Sequence, residues 1–159
     1  MIEVSLINGD KIHFTSPVSG EEIANAISKS LSKKAIAIKA NGVVKDLSTV
    51  FYSNVQVEVV TIHDPEGLEI IRHDTAHILA QAIKEIYPKA KISIGPTIKD
   101  GFYYDIFLEH SLSVDDFPLL EKKMWEIIKR QDKFVREIKS KEEAIKYFTS
   151  IGEDYKVEI

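Results

Sequence analysis

Ile2-Glu3-Val4-Ser5-Leu6-Ile7-Asn8-Gly9-Asp10-Lys11-Ile12-His13-Phe14 is the stretch whose reading decides the fold of the first part of the chain. Ile2, Val4 and Leu6 alternate with Glu3 and Ser5, and Ile12 and Phe14 alternate with Lys11 and His13. A period of two gives each segment one apolar face, the signature of a half-buried strand. Asn8-Gly9 between them supplies residues that accept the positive φ of a tight hairpin turn. Further on, Ser19-Gly20-Glu21-Glu22 has capping-box spacing and opens a helix whose apolar stripe is Ile23, Ala24, Ile27 and Leu31. Ala35-Ile36-Ala37-Ile38-Lys39 predicts a strand, Asn41-Gly42 a second turn into Val43-Val44, and Val55 to Val60 a last half-buried strand. A sheet with one helix across its face is the economical way to bury these stripes.

The chain has 159 residues, with 44% hydrophobic and 29% charged, the balance of a globular protein of one domain or two small ones. Residues 1–61 carry six basic and six acidic side chains, so the net charge of −4 belongs to the remainder. Binding of nucleic acid by charge alone normally needs a basic excess, which this chain lacks. Cysteine is absent, which excludes disulfides and thiolate metal sites within these residues and fits an intracellular setting. No apolar run reaches the ~20 residues of a membrane span, and Met1-Ile2-Glu3-Val4 does not resemble a signal peptide. The expectation is a soluble cytoplasmic protein without membrane contact.

Near His63-Asp64-Pro65 the period changes, and a boundary is expected at about residue 62. From Glu66 the pattern is helical to Tyr87, where Pro88 stops it. Lys91-Ile92-Ser93-Ile94 predicts a short strand and Gly101 to Phe107 an aromatic one. Ser113-Val114-Asp115-Asp116 opens a second long helix with Leu119, Leu120, Met124, Ile127 and Ile128 as its stripe. Phe134 to Ile138 predicts a strand, and Ser140-Lys141-Glu142-Glu143 caps a short helix ending near Gly152. Tyr155-Lys156-Val157-Glu158-Ile159 alternates like a strand and stops without a turn, so a domain interrupted at that point is expected.

His73 and His77 are the most informative residues. Four positions apart on a helix, they share a face and can act on one bound group. Leu68, Ile71, Ile78, Leu79, Ala82, Ile83 and Ile86 form the broad apolar stripe, and His73, His77 and Lys84 lie nearly opposite it. An HxxxH pair alone is more often two ordinary histidines than a site, although its place off the apolar stripe argues against core residues. Asp74 follows the first histidine, so the HExxH metalloprotease pattern is not met. His13, His63 and His110 have no companion at ligand spacing, and no metal ligand is assigned. Arg72 is a candidate anion contact, and Tyr103 and Tyr104 must face opposite ways on their strand. Lys122, Lys123, Lys129 and Arg130 interleave with Glu121 and Glu126 as a solvated face does.

The run from Gly67 to Ala80, which contains Arg72-His73-Asp74-Thr75-Ala76-His77, together with Ile94-Gly95-Pro96, Gly101-Phe102-Tyr103-Tyr104-Asp105 and Gly152-Glu153-Asp154-Tyr155-Lys156-Val157, resembles bacterial threonyl-tRNA synthetase in its N-terminal region. The resemblance covers the whole chain. It implies an α+β fold: a ubiquitin-like β-grasp TGS domain over residues 1–61, then the N-terminal part of a tRNA editing domain over residues 62–159, truncated and with two long helices. The family's editing domain hydrolyses serine wrongly attached to threonine tRNA. His73 and His77 match the helical half of its site, Lys156 the lysine of its Tyr-Lys segment, and Tyr104 the second tyrosine of its Gly-Phe-Tyr-Tyr-Asp segment. The cysteine–histidine half has no counterpart in this chain. The resemblance implies ATP and zinc only for an aminoacylation core outside these residues, and no cofactor within them. It also implies a homodimer formed through other domains and threonine tRNA as the partner, which this part alone, with its net charge of −4, is expected to hold weakly.

Such a domain answers a chemical need, because the methyl group that separates threonine from serine gives only ~1–3 kcal/mol of discrimination in one pocket. Cleaving an aminoacyl ester requires a positioned water, a proton acceptor and a contact for the developing oxyanion. From these requirements His73 is expected as water-orienting base or substrate anchor, His77 as its partner and Lys156 as the water or oxyanion contact, with Tyr104 and Arg72 expected toward the substrate. Two other readings start from the same residues: a non-catalytic β-grasp module binding RNA or protein, and an alanyl-type trans-editing protein sharing HxxxH. The β-grasp pattern at the start of the chain argues against the second.

Overall fold

The computed structural model describes residues 1–133 and 135–158 and divides into two compact units, Met1–Ile71 and Arg72–Ile159. The fold is mixed α+β, with six helices among the described residues.

The first unit contains β1 (Ile2–Leu6), β2 (Lys11–Phe14), β3 (Val18–Ser19), α1 (Gly20–Ile27), α2 (Lys29–Ser32), β4 (Ala35–Ala40), β5 (Val43–Asp46), β6 (Val50–Phe51) and β7 (Val55–Thr61). β1 and β2 form the expected antiparallel hairpin, with Val4 opposite Ile12. The five-stranded sheet has the order β2-β1-β7-β4-β5, and β1 runs parallel to β7 at its centre. This is the β-grasp arrangement. β3 and β6 pair separately. Ser19 caps α1 through both halves of the capping box: its hydroxyl accepts from the Glu22 N–H, and the Glu22 carboxylate accepts from the Ser19 N–H. The helix stops earlier than its stripe suggests. Ser28 is extended and caps the four-residue α2, so Leu31 lies on a separate helix from Ile27. Ile23 packs with Val4, Ile38 and Val57 in the core.

The helix α3 (Pro65–Ile86) starts in the first unit and continues into the second. Just before it, the Asp64 carboxylate accepts from the Thr61 N–H and hydroxyl, which closes the turn between β7 and α3. Gly67 lies so close to the Thr61 carbonyl that a Cβ there would stand 1.9 Å from that oxygen.

The second unit continues with β8 (Lys91–Ile92), β9 (Thr97–Ile98), β10 (Gly101–Phe102), β11 (Ile106–Phe107), a 3-10 turn at Val114–Asp116, α4 (Phe117–Arg130), α5 (Lys141–Ser150) and α6 (Asp154–Glu158). Three strand expectations change. The aromatic strand divides in two: β10 pairs with β9 and β11 with β8, leaving Tyr103 to Asp105 between them. The expected strand at Phe134–Ile138 is not formed over residues 135–138, and Phe134 lies outside the described residues. The expected strand at Tyr155–Ile159 is replaced by the helix α6, with Ile159 outside the described residues.

That last change has a local cause. Gly152 takes φ +73°, and the Glu153 N–H bonds to the Phe148 carbonyl while the Gly152 N–H bonds to the Thr149 carbonyl. These two bonds close α5 in a Schellman motif. The chain then turns helical again at Asp154, and an alternation of apolar residues over five positions is too short to decide the period. Ala80, Ile83, Ala90, Ile92 and Leu120 form this unit's core, with Tyr104 and Ile106 packed against it. No helix of the described residues is long and apolar enough to cross a membrane.

Candidate hydrolytic site

His73 and His77 are one turn apart on α3, and both rings still meet solvent. Their Nε2 atoms are 2.9 Å apart and the rings stand edge to face at 87°. A hydrogen bond between two ring nitrogens needs one to carry the proton and the other to be bare. The pair therefore holds a single bridging proton, and the acceptor ring is neutral. His77 is pushed below the usual histidine range, first by burial of part of its ring and then by its partner His73. Asp74 opposes this shift, and the Lys156 ammonium adds to it. Both effects of like charge favour the neutral imidazole, the form that can take a proton from water.

Lys156 lies on α6, 79 positions after His77 in sequence, and the fold brings its charge within reach of that ring. Its ammonium donates to the Ser93 carbonyl at 2.6 Å, which leaves further N–H groups for a water or an oxyanion. Ser93 is itself fixed, since its N–H bonds to the Asp105 carbonyl and the Asp105 N–H bonds to the Ile94 carbonyl. Sequence reasoning did not find Ser93. Nothing in its side chain points to a backbone carbonyl acting as a lysine's rest.

Tyr104 follows a different course. Its ring covers Gly95 so closely that a Cβ on that residue would meet ring carbons at 2.3–2.7 Å, which explains the glycine. The ring also lines a groove of about 420 Å³ with Leu79, Ile83, Phe102, Phe117 and Met124. Burial raises the Tyr104 hydroxyl above the usual tyrosine range, so it stays protonated near neutral pH. Tyr103 is the more exposed of the two, at 53%. Arg72 is half-buried one position before His73 and has no ion pair among the described residues. Lys156 thus lies near enough for its charge to act on His77, whereas Tyr104 and Arg72 make no hydrogen bond to the histidines or to Lys156 among the described residues. No group of three or more His, Asp or Glu among the described residues could hold a metal ion.

Comparison with known proteins adds two findings. Residues 2–61 match the TGS domain. All 159 residues align with threonine–tRNA ligase of Ehrlichia chaffeensis at 52% identity, and the whole chain aligns with the corresponding enzymes of Wolbachia sp. subsp. Brugia malayi and Rickettsia canadensis at 46% each. The aligned part is 25% of each of these proteins. The chain therefore spans about a quarter of the length of the curated relatives it matches.

Proposed function

We propose that this chain, which over its whole length is similar to the N-terminal region of threonine–tRNA ligases, contributes to hydrolytic editing of Ser-tRNA(Thr) within such an enzyme. Residues 1–61 serve as its TGS domain and residues 62–159 as part of its editing domain. The observation that carries the reading is the His73–His77 contact with the Lys156 charge beside it, in one unit. The working partner is threonine tRNA, the setting is the cytoplasm, and the ligase reaction itself, with its ATP, zinc and homodimer contacts, belongs to other parts of the protein.

The chemistry follows from protonation states. The histidine that gives its Nε2–H to the other ring keeps a bare Nδ1, and that nitrogen accepts a proton from water as the water attacks the ester carbonyl carbon. The carbonyl oxygen takes the negative charge, and Lys156 stabilises it by donating an N–H or holds the attacking water in line. Collapse of the tetrahedral species breaks the bond to the ribose oxygen, and the histidine returns its proton to that leaving oxygen. His73 orients the water or anchors the aminoacyl group, and His77 is its proton partner. Arg72 and Tyr104 contact the substrate farther out.

Positioned sets lose orders of magnitude in rate when members are missing. Ser-tRNA deacylation is therefore measured for this chain and for the chain fused to the segment that follows the matched residues in the Ehrlichia chaffeensis protein. A large gain on fusion is expected. No hydrolysis by either protein would overturn the reading.

A further inference from the structure

α6 has five residues, none of them buried, so neither helix length nor core packing fixes its place. Its fixed points are polar. Glu153, immediately before it, pairs with Lys84 of α3 at 2.5 Å, and the same ammonium donates to the Ala90 carbonyl at 2.9 Å. Asp154 pairs with Lys91 of β8. Lys156 then reaches the Ser93 carbonyl. Lys84 stands two helical turns beyond His77 on the face that carries both histidines. The tether thus holds α6 against that face.

From this arrangement we infer that Lys84 and Lys91 are positioning residues, which seat α6 through Glu153 and Asp154 so that Lys156 is presented to the His73–His77 pair. The inference rests on reading those three residues as one site. The two tethers are unequal. The Glu153 side chain is only 12% exposed, whereas that of Asp154 is 59% exposed. Removing Lys84 leaves a mostly desolvated carboxylate without its cation, a costly state, whereas a surface pair contributes little. Lys84–Glu153 is the principal tether. The charged and titratable groups acting on His77 are His73 and Asp74 from α3 and Lys156 from α6. Lys84 lies two helical turns, about 10 Å, from His77 along α3, and its route to that ring in this inference is the placement of Lys156.

The test follows the His77 imidazole by NMR titration in this chain. Lys156→Met should raise the His77 midpoint, because a neighbouring cation is lost. Glu153→Gln should raise it in the same direction, and adding Glu153→Gln to Lys156→Met should change nothing further. Lys84→Glu should also raise it, and the charge swap Lys84→Glu with Glu153→Lys should bring it back. An unchanged midpoint in Glu153→Gln, a further shift on the Lys156→Met background, or no effect of Lys156→Met would each overturn the inference. In the fused protein, Glu153→Gln should lower deacylation by about 10²-fold, the scale of a 1 Å misplacement. If the titrations follow the expected pattern while no protein deacylates Ser-tRNA, the tether stands and the editing reading falls.

Discussion

In the first unit Val4, Ile23 and Ile38 have no solvent exposure, and a five-stranded sheet pairs the start of the unit with its last strand. In the second unit each strand has two residues, and its polar ties include Lys84–Glu153, Lys91–Asp154 and a two-bond contact from Arg130 to Glu85. α4 leaves Phe117, Leu119 and Trp125 about half exposed. The contrast separates two ways of holding a chain in place. Apolar packing over a sheet gives stability that is indifferent to pH. Charged tethers between short elements give placement of particular side chains, and they respond to pH and salt. The candidate site lies in the second kind of structure, where placement matters more than bulk stability.

The contrast can be broken or sharpened by mutation. The largest effect is expected in the core of the first unit: Ile38→Ala should cost about 2–5 kcal/mol in urea unfolding, and the His77 NMR titration should stay as in the unmodified chain. A changed titration would mean that the two units do not respond separately. Next comes Gly95→Ala, which forces the Tyr104 ring aside and should cost about 1–3 kcal/mol in the second unit. Ser19→Ala and Ser140→Ala remove equivalent capping boxes from the two units, and each should cost about 1 kcal/mol.

The smallest effect is one of pH. The Arg130 guanidinium holds the Glu85 carboxyl down at about 2, against an ordinary 4.5. A folded value below the unfolded one means that the stabilisation is complete above about 4.5 and fades as pH falls toward 2. Glu85→Gln should flatten the pH dependence of second-unit melting across that window and leave the first unit unaltered. An unchanged slope would show that this carboxylate is not what acid titrates.

The β-grasp unit was legible because its signals are local: period-two alternation, Asn-Gly turns and a Ser-x-x-Glu cap each act within a few residues. The histidine pair was legible for the same reason, since four-residue spacing on a helix already brings two rings together. The placement of α6 was not. Its helix depends on a Schellman turn at Gly152, and its seat depends on lysines more than 60 residues earlier. Ser93 as the acceptor for Lys156 is equally invisible, because any residue type carries that carbonyl. The division of the aromatic strand reflects two different partners for its two ends, a choice made by tertiary pairing and not by the propensity of Phe102 to Phe107.

The most direct test of the hydrolytic site is the rate at which the fused protein cleaves Ser-tRNA(Thr), compared with its His73→Ala, His77→Ala and Lys156→Met variants. The account predicts that each histidine variant loses about 10²–10⁴-fold, the usual contribution of a positioned acid–base group, and that Lys156→Met also falls well below the parent. A His77→Ala protein that cleaves the ester at the parent rate would contradict it.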